Sequence, residues 1–307
     1  MTNDSPFLVV ILGPTASGKT TLAIEVAKAL GTEILSADSR QFFKEMSIGT
    51  AKPSAEELKQ VKHHFINSLS IKDEYNVGMF EQDALKVLEE IYKKKNVAVM
   101  AGGSGLYIDA VCSGFDEVPE ADKEIRTAII ERYKVEGIEY LRSALKKLDE
   151  VHYKKVDIKN PHRLIRAIEV CMITGRPYSE QRKGEKKKRD FIPIKIGLNI
   201  DREKLYEKIN DRVDEMIKSG LLDEARALSP FRVGATPNSL NTVGYKELFD
   251  HLDGKYDRAR AVELIKQNTR NFAKRQMTWF RKDKEITWFD PKEKKTILEF
   301  IISKARN

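Results

Sequence analysis

One segment constrains this chain more than any other: GPTASGKT, residues 13–20, between the apolar run Phe7–Leu12 and an amphipathic run over 21–30. All fixed positions of GxxxxGK[ST] are filled, in the strand–loop–helix setting where such a loop grips phosphate. The strand delivers the loop to the sheet edge, and the glycines let successive backbone N–H groups curl around phosphate oxygens. The following helix points its positive dipole end at the same place. Gly13, Pro14, Thr15, Ala16, Ser17, Gly18, Lys19 and Thr20 are therefore the expected anion-binding residues. Lys19 adds a point charge, and the Thr20 hydroxyl is an expected Mg²⁺ ligand. The loop does not say whose phosphate it holds.

The pattern around the loop reads as strand over 7–12, helix over 20–30 stopped by Gly31, and a second strand over 33–38 that ends in Asp38. Helices follow over 54–61 and 77–94. A buried strand over 97–101 then turns through GGSG at 102–105 into a helix over 106–112. Strand and helix alternating in this order predict a parallel α/β sheet wound by right-handed crossovers. From 119 to 174 the periodicity is almost all helical, with Ile125, Ile129, Tyr133, then Leu141, Leu145, Leu148, then Leu164, Ile168 and Cys171. The expected organisation is a P-loop core from 1–117 and 191–307, interrupted by a helical insertion at 118–190. The basic run at 183–189 reads as a solvated loop. Alternating Ile192, Ile194, Ile196 and Leu198 mark a strand returning to the sheet, and helices fill the remainder.

At 307 residues the chain is long enough for one sizeable core with a smaller body attached. No stretch approaches the ~18 apolar residues of a membrane span, and the first residues lack the basic and apolar regions of a secretory signal, so a cytoplasmic protein is expected. Cys112 and Cys171 lack metal or redox spacing and read as buried thiols. His63-His64 also lacks metal spacing and reads as packing or hydrogen bonding.

Charge is concentrated. Residues 255–284 hold ten lysines and arginines against three acids, and so carry +7 of the net +8. In a helical projection Val262, Ile265, Phe272 and Trp279 fall near one stripe, and Lys266, Arg270, Lys274 and Arg281 near another. Such a basic face is either solvated or docked on polyanion. Solvated faces usually mix signs, and the scarcity of acids here favours nucleic acid.

Hydrolysis of a bound nucleotide normally needs a second strand ending in Asp to organise Mg²⁺ and water. The strand at 97–101 ends in Gly102-Gly103 instead, which favours a transferase over a motor or switch. Asp38 is the carboxylate that ends a strand beside the loop, at the crevice where open α/β sheets bind ligands.

GPTASGKT, DSRQFF at 38–43, GTAKP at 49–53, GGSGLY at 102–107 and KRQMTWFR at 274–281 together resemble the successive signatures of the tRNA dimethylallyltransferases, the bacterial tRNA isopentenyltransferases. The resemblance covers essentially the whole chain. It implies transfer of a dimethylallyl group from dimethylallyl diphosphate to the exocyclic N6 of the adenosine 3′ to the anticodon, with Mg²⁺ assisting and diphosphate leaving. The chemistry of the residues agrees with it. Loop N–H groups, Lys19 and a Thr20-held Mg²⁺ can neutralise a departing diphosphate without hydrolysing anything. The adenine amine is a poor nucleophile, so a carboxylate that takes its proton assists, and Asp38 is the candidate. A base stacked in an anticodon loop must be extruded into a pocket, where Ser39 and Gln41 are placed to read or position it.

By the same resemblance Arg212 contacts diphosphate or the transition state; read from the sequence alone it is equally an exposed helical arginine. Contacts to tRNA are implied at Asp38, Ser39, Arg40 and Gln41, and at Ser104 and Arg126. They are implied further at His162, Arg163, Leu164, Ile165 and Arg166, and at Asn241, Thr242, Val243, Gly244, Tyr245 and Lys246. The last group is Lys274, Arg275, Gln276, Met277, Thr278, Trp279, Phe280 and Arg281. Four positions depart from the family pattern: Ser104 stands for threonine, Ser47 for aspartate, Asn67 for an acid and Asn241 for the arginine of some relatives. Partners are expected to be tRNA and dimethylallyl diphosphate, with no membrane, and the chain is expected to be a monomer. Competing readings are an adenylate isopentenyltransferase acting on free nucleotides, a nucleotide kinase binding ATP, and a non-catalytic P-loop RNA-binding regulator. The helical insertion and the basic C-terminal stretch favour tRNA over free nucleotides.

Overall fold

The computed structural model describes residues 5–116, 118–182, 184, 186–233 and 237–306. The chain divides into two compact units, Met1–Cys112 with Arg189–Asn307, and Ser113–Lys188.

The first unit is built on a parallel sheet of six strands: β1 (Phe7–Leu12), β2 (Ile34–Ser36), β3 (His63–His64), β4 (Val97–Gly102), β5 (Ile192–Leu198) and β6 (Thr287–Phe289), in the spatial order β3-β2-β4-β1-β5-β6. All pairings are parallel, so each connection crosses over the sheet. β1 lies between β4 and β5, with Leu12 level with Gly102 and Gly197. Every residue of β1 is buried, as a strand covered on both faces requires. One face packs Leu8, Val10 and Leu12 against Phe42, Phe80, Met100 and Phe280. The other packs Val9 and Ile11 against Leu22, Val26, Ile297 and Ile301. This is the P-loop NTPase-like α/β architecture that the strand and helix order implies.

The second unit is helical: Lys123–Glu136, Ile138–Leu148, Glu150–Tyr153, Pro161–Thr174 and Tyr178–Gln181. Ile129, Leu141, Leu145, Leu164 and Ile168 form its core. Asn160 caps the Pro161–Thr174 helix through Arg163 N–H at 3.3 Å, and Pro161 fits the first turn because the N–H it lacks has no helical partner there.

Three local expectations change. The second strand stops at Ser36, so Asp38 sits in a turn beyond the strand end. β3 and β6, of two and three residues, carry no alternation long enough to read from sequence. The helix Arg258–Phe280 buries Ala261, Ile265, Ala273, Gln276 and Phe280, while Phe272 and Trp279 remain 38% and 37% exposed. The face that packs therefore combines Ile265 and Phe280 with two alanines and a glutamine, and only Ile265 of the apolar stripe read from sequence is fully buried. Both cysteines are buried unpaired thiols, and burial pushes the Cys112 thiol up to about 12. Among the described residues, no helix is long and apolar enough to cross a membrane.

Candidate active site

The loop after β1 runs into the helix Lys19–Leu30 through two left-handed residues, Ala16 (φ 63°) and Gly18 (φ 87°). Ala16 is held by a small cluster with Leu205 and Ile209 of the helix Arg202–Lys218 and Ala273 of the helix Arg258–Phe280. Two C-terminal helices thus brace the loop. The bracing is also polar: the Gln276 side chain accepts the Thr15 N–H through Oε1 and donates from Nε2 to the Gly103 carbonyl, both at 2.9 Å. Ser17 Oγ is buried with no hydrogen-bond partner in the protein, and Lys19 Nζ donates to the Pro14 carbonyl at 2.7 Å.

Three charged groups meet at this loop. Burial lowers Lys19 from the ordinary lysine range to about 8, with Asp38 opposing the shift and Arg212 reinforcing it. Burial raises Asp38, against the Arg40 N–H and the charges of Lys19 and Arg40. Arg212 is lowered by burial, while Asp38 and Glu57 favour its charged form. Arg212 is half-buried, and the groups that act on its charge include Asp38 of this cluster. Its position follows from packing, because Arg212 lies one turn beyond Ile209, whose side chain faces Ala16.

The turn carrying Asp38 is fixed on all sides. Arg40 N donates to Asp38 Oδ1, and Gln41 N to the Asp38 carbonyl, both at 3.1 Å. Phe42 is fully buried, its ring 5.4 Å from Phe80 and 5.7 Å from Tyr107. Ser39 N donates to Ser104 Oγ at 3.0 Å, so the hydroxyl kept by the serine at this position is the group in use. Gly102 has to be glycine, since a Cβ there would lie 2.2 Å from the Ala37 carbonyl oxygen. β4 and its GGSG turn therefore press directly on the backbone that presents Asp38.

Several residues implied as RNA contacts are turned into the protein. Leu164 and Ile165 belong to the helical core because they lie on the inner face of their helix. Phe280 and Tyr245 are buried in the sheet core, and Gly244 is buried beside Tyr245. Gln276 is spent on Thr15 and Gly103. The Gln41 carboxamide accepts from Ser36 Oγ at 3.1 Å and donates to the Thr50 and Ala51 carbonyls at 3.3 and 3.2 Å, which leaves it shaping the turn and not reading a base. Val243 and Met277 are half-buried, and Thr242 Oγ1 donates to the Ser239 carbonyl at 2.6 Å.

The exposed members are His162 and Arg163 on the helical unit, and Asn241, Lys246, Lys274, Arg275, Thr278 and Arg281 on the core unit. Trp279 Nε1 donates to Asp109 Oδ2 at 2.8 Å. Arg126 and Arg166 flank the fully buried Glu169, at 3.8 and 2.8 Å. Within the basic stripe, Lys266 is ion-paired with Asp214 at 2.8 Å and Arg270 donates to Asn210 Oδ1 at 2.7 Å, so half of the stripe docks on the neighbouring helix. Among the departures from pattern, Asn67 Oδ1 accepts from Lys52 Nζ at 2.6 Å, and Ser47 N donates to Glu224 Oε2 at 3.0 Å. His64 Nε2 pairs with Glu33 at 2.6 Å, and His63 Nδ1 with the Val61 carbonyl at 2.8 Å.

Sequence reasoning missed Glu224 and Glu247. Glu224 gathers the backbone of 47–49, and Glu247 accepts from Gly244 N at 2.7 Å and Asn268 Nδ2 at 2.6 Å. Glu224 acts on residues remote in sequence, which leaves no spacing signal, whereas Glu247 stands at the third helical position after the N-cap Gly244, a spacing that sequence can show.

A parallel sheet with the GPTASGKT loop between a central strand and the helix that follows it has the P-loop NTPase-like fold. Comparison with known proteins gives the family. The IPP transferase profile matches residues 41–283, and the chain belongs to that family. It is 54% identical to the tRNA dimethylallyltransferase of Christiangramia forsetii, over 98% of this chain and 99% of that protein. It is 46% identical to tRNA dimethylallyltransferase 1 of Bacteroides thetaiotaomicron, over 96% and 95%. The crystal structure of the tRNA isopentenylpyrophosphate transferase of Bacillus halodurans is similar over 98% of this chain and 97% of that one, at 36% identity and a TM-score of 0.72. A eukaryotic dimethylallyltransferase acting on tRNA covers 94% of this chain, which covers 74% of it, at 25% identity and a TM-score of 0.77.

Proposed function

We infer that this enzyme transfers a dimethylallyl group from dimethylallyl diphosphate to the exocyclic N6 of the adenosine 3′ to the anticodon of tRNA, releasing diphosphate. The observation that carries the chemistry is the meeting of Lys19, Asp38 and Arg212 at the loop, cations for a leaving diphosphate beside a carboxylate for a proton. Full-length similarity to tRNA dimethylallyltransferases carries the choice of substrate over free nucleotides.

The allylic carbon–oxygen bond breaks as the N6–carbon bond forms, and its electron pair leaves with diphosphate. Loop N–H groups, Lys19 and Arg212 stabilise that charge where it develops. Burial makes Asp38 a stronger proton acceptor than an ordinary carboxylate, suited to take the proton lost by N6. Mg²⁺ would be held by the Thr20 hydroxyl together with diphosphate oxygens and water, the ligand set that suits it, and would supply further charge neutralisation. An unpartnered Ser17 Oγ in the loop fits an oxygen-rich ligand. Exposed Arg163 and His162 on the helical unit, and Lys246, Lys274, Arg275 and Arg281 on the core unit, are the proposed phosphate and base contacts to tRNA.

Incubating the enzyme with dimethylallyl diphosphate, Mg²⁺ and unmodified tRNA, then digesting the RNA, should show one dimethylallyl mass gain on one adenosine. ATP turnover without RNA modification would overturn the assignment in favour of a kinase, and modification of free AMP in favour of the adenylate reading.

A further inference from the structure

Glu224 lies in the helix Leu221–Leu228, in a segment to which no chemistry has been attached. Four donors converge on its carboxylate. Oε2 accepts from Ser47 N at 3.0 Å and Ile48 N at 2.9 Å, while Oε1 accepts from Gly49 N at 3.1 Å and the Tyr245 hydroxyl at 2.5 Å. Three successive backbone N–H groups turned toward one anion fix the conformation of the loop that carries them. The Tyr245 ring fills the space below: a Cβ on Gly49 would lie 2.5 Å from it. The loop is therefore clamped between a carboxylate and an aromatic face.

The clamped loop reaches the reaction centre in two steps. Its Thr50 and Ala51 carbonyls receive the Gln41 amide, and Gln41 in turn accepts from Ser36 Oγ at the end of β2. Asp38 and Ser39 lie in the turn between Ser36 and Gln41, and Gln41 N closes that turn on the Asp38 carbonyl. We propose that Glu224 is a positioning residue for the transfer: by holding 47–51 it sets Gln41, and through Gln41 the turn that presents Asp38 to N6. The proposal rests on the function inferred above. Displacing a reacting group by about 1 Å costs about 10²-fold in rate, so a residue in no contact with substrate can act strongly on turnover.

The test compares Glu224→Gln, Gln41→Leu and the double variant in steady-state transfer, beside the wild type. Glu224→Gln should lower kcat about 10–10²-fold and leave KM for dimethylallyl diphosphate unchanged, because none of its bonds reaches the 13–20 loop. The double variant should lose no more than the worse single one, as expected for residues acting in one chain. With the turn loosened, water reaches Asp38 among Lys19, Arg40 and Arg212, and the acid limb of the kcat profile should move to lower pH. A purely structural role would lower the melting temperature and leave that limb in place. Tyr245→Phe, which removes one donor and keeps the ring, supplies a milder variant should Glu224→Gln fail to fold, and the same limb shift is expected. Multiplicative losses in the double variant, or wild-type kcat in folded Glu224→Gln, would overturn the proposal. Amide exchange across 38–51 should be faster in Glu224→Gln whether or not tRNA is the acceptor. Wild type without transfer but with that acceleration would therefore sink the function and spare the clamp, and unchanged exchange would sink the clamp itself.

Discussion

Gln276 accepts the backbone N–H of Thr15 at 2.9 Å across 261 residues of sequence, so the phosphate loop is held from outside itself by the basic C-terminal helix. The same carboxamide holds the Gly103 carbonyl, and one buried side chain thereby fixes the ends of β1 and β4 relative to each other. Replacing Gln276 with Leu should leave both backbone groups unpaired, at a cost of about 1–3 kcal/mol each. Urea unfolding should show that loss, and KM for dimethylallyl diphosphate should rise as the loop relaxes. An unchanged unfolding midpoint would show that water replaces both bonds.

Asp38→Asn keeps the shape of the turn and removes the proposed proton acceptor. Transfer at saturating substrates should fall by about 10²–10⁴-fold, with tRNA affinity measured by filter binding little changed. If affinity fell as far as turnover, Asp38 would be an RNA anchor, and the base would have to be sought elsewhere.

Much of this site was legible in the sequence because its chemistry is local. GPTASGKT needs only its own strand and helix, and Asp38 follows a strand two places from β1 in the sheet. What was illegible acts at a distance. Gln276 was implied as a tRNA contact by the resemblance, because nothing near it in sequence shows that Thr15 and Gly103 are its partners. Phe272 and Trp279 fell near one apolar stripe with Ile265 on helical spacing, yet the inward face is taken by Ala261, Ile265, Ala273, Gln276 and Phe280. Arg212 was ambiguous for a related reason: whether a helical arginine is solvated depends on what lies beside its helix, and Ala16 and Asp38 come from the other end of the chain.

Lys19 gives a pH signature. If Lys19 holds the diphosphate, its ammonium binds the anion and its neutral amine does not, and burial has lowered it to about 8. Protonation is therefore largely complete below pH 7 and is lost as pH rises through about 8. Affinity for dimethylallyl diphosphate should fall about tenfold per pH unit above that point. Lys19→Met should abolish this basic limb and raise KM at neutral pH. Equilibrium binding of the diphosphate from pH 6 to pH 10 measures both, and a flat profile would show that backbone N–H groups alone hold the anion.

The basic helix separates two kinds of cation that composition treats alike. Lys274 and Arg281 are exposed, whereas Lys266 and Arg270 are tied to Asp214 and Asn210 of the neighbouring helix. If the exposed pair touches phosphates, each contributes about 0.7–0.9 to the slope of log affinity against log salt for tRNA. Lys274→Gln with Arg281→Gln should then flatten that slope by about 1.4–1.8 and leave kcat at saturating tRNA intact, since neither takes part in bond making. Lys266→Gln with Arg270→Gln should barely change the slope and should lower stability by loosening the two helices that brace Ala16. A slope that responds to the second pair and not the first would mean that RNA binding pulls Lys266 and Arg270 off their partners. The helix would then be remodelled by its substrate, and would not be a preformed cationic face.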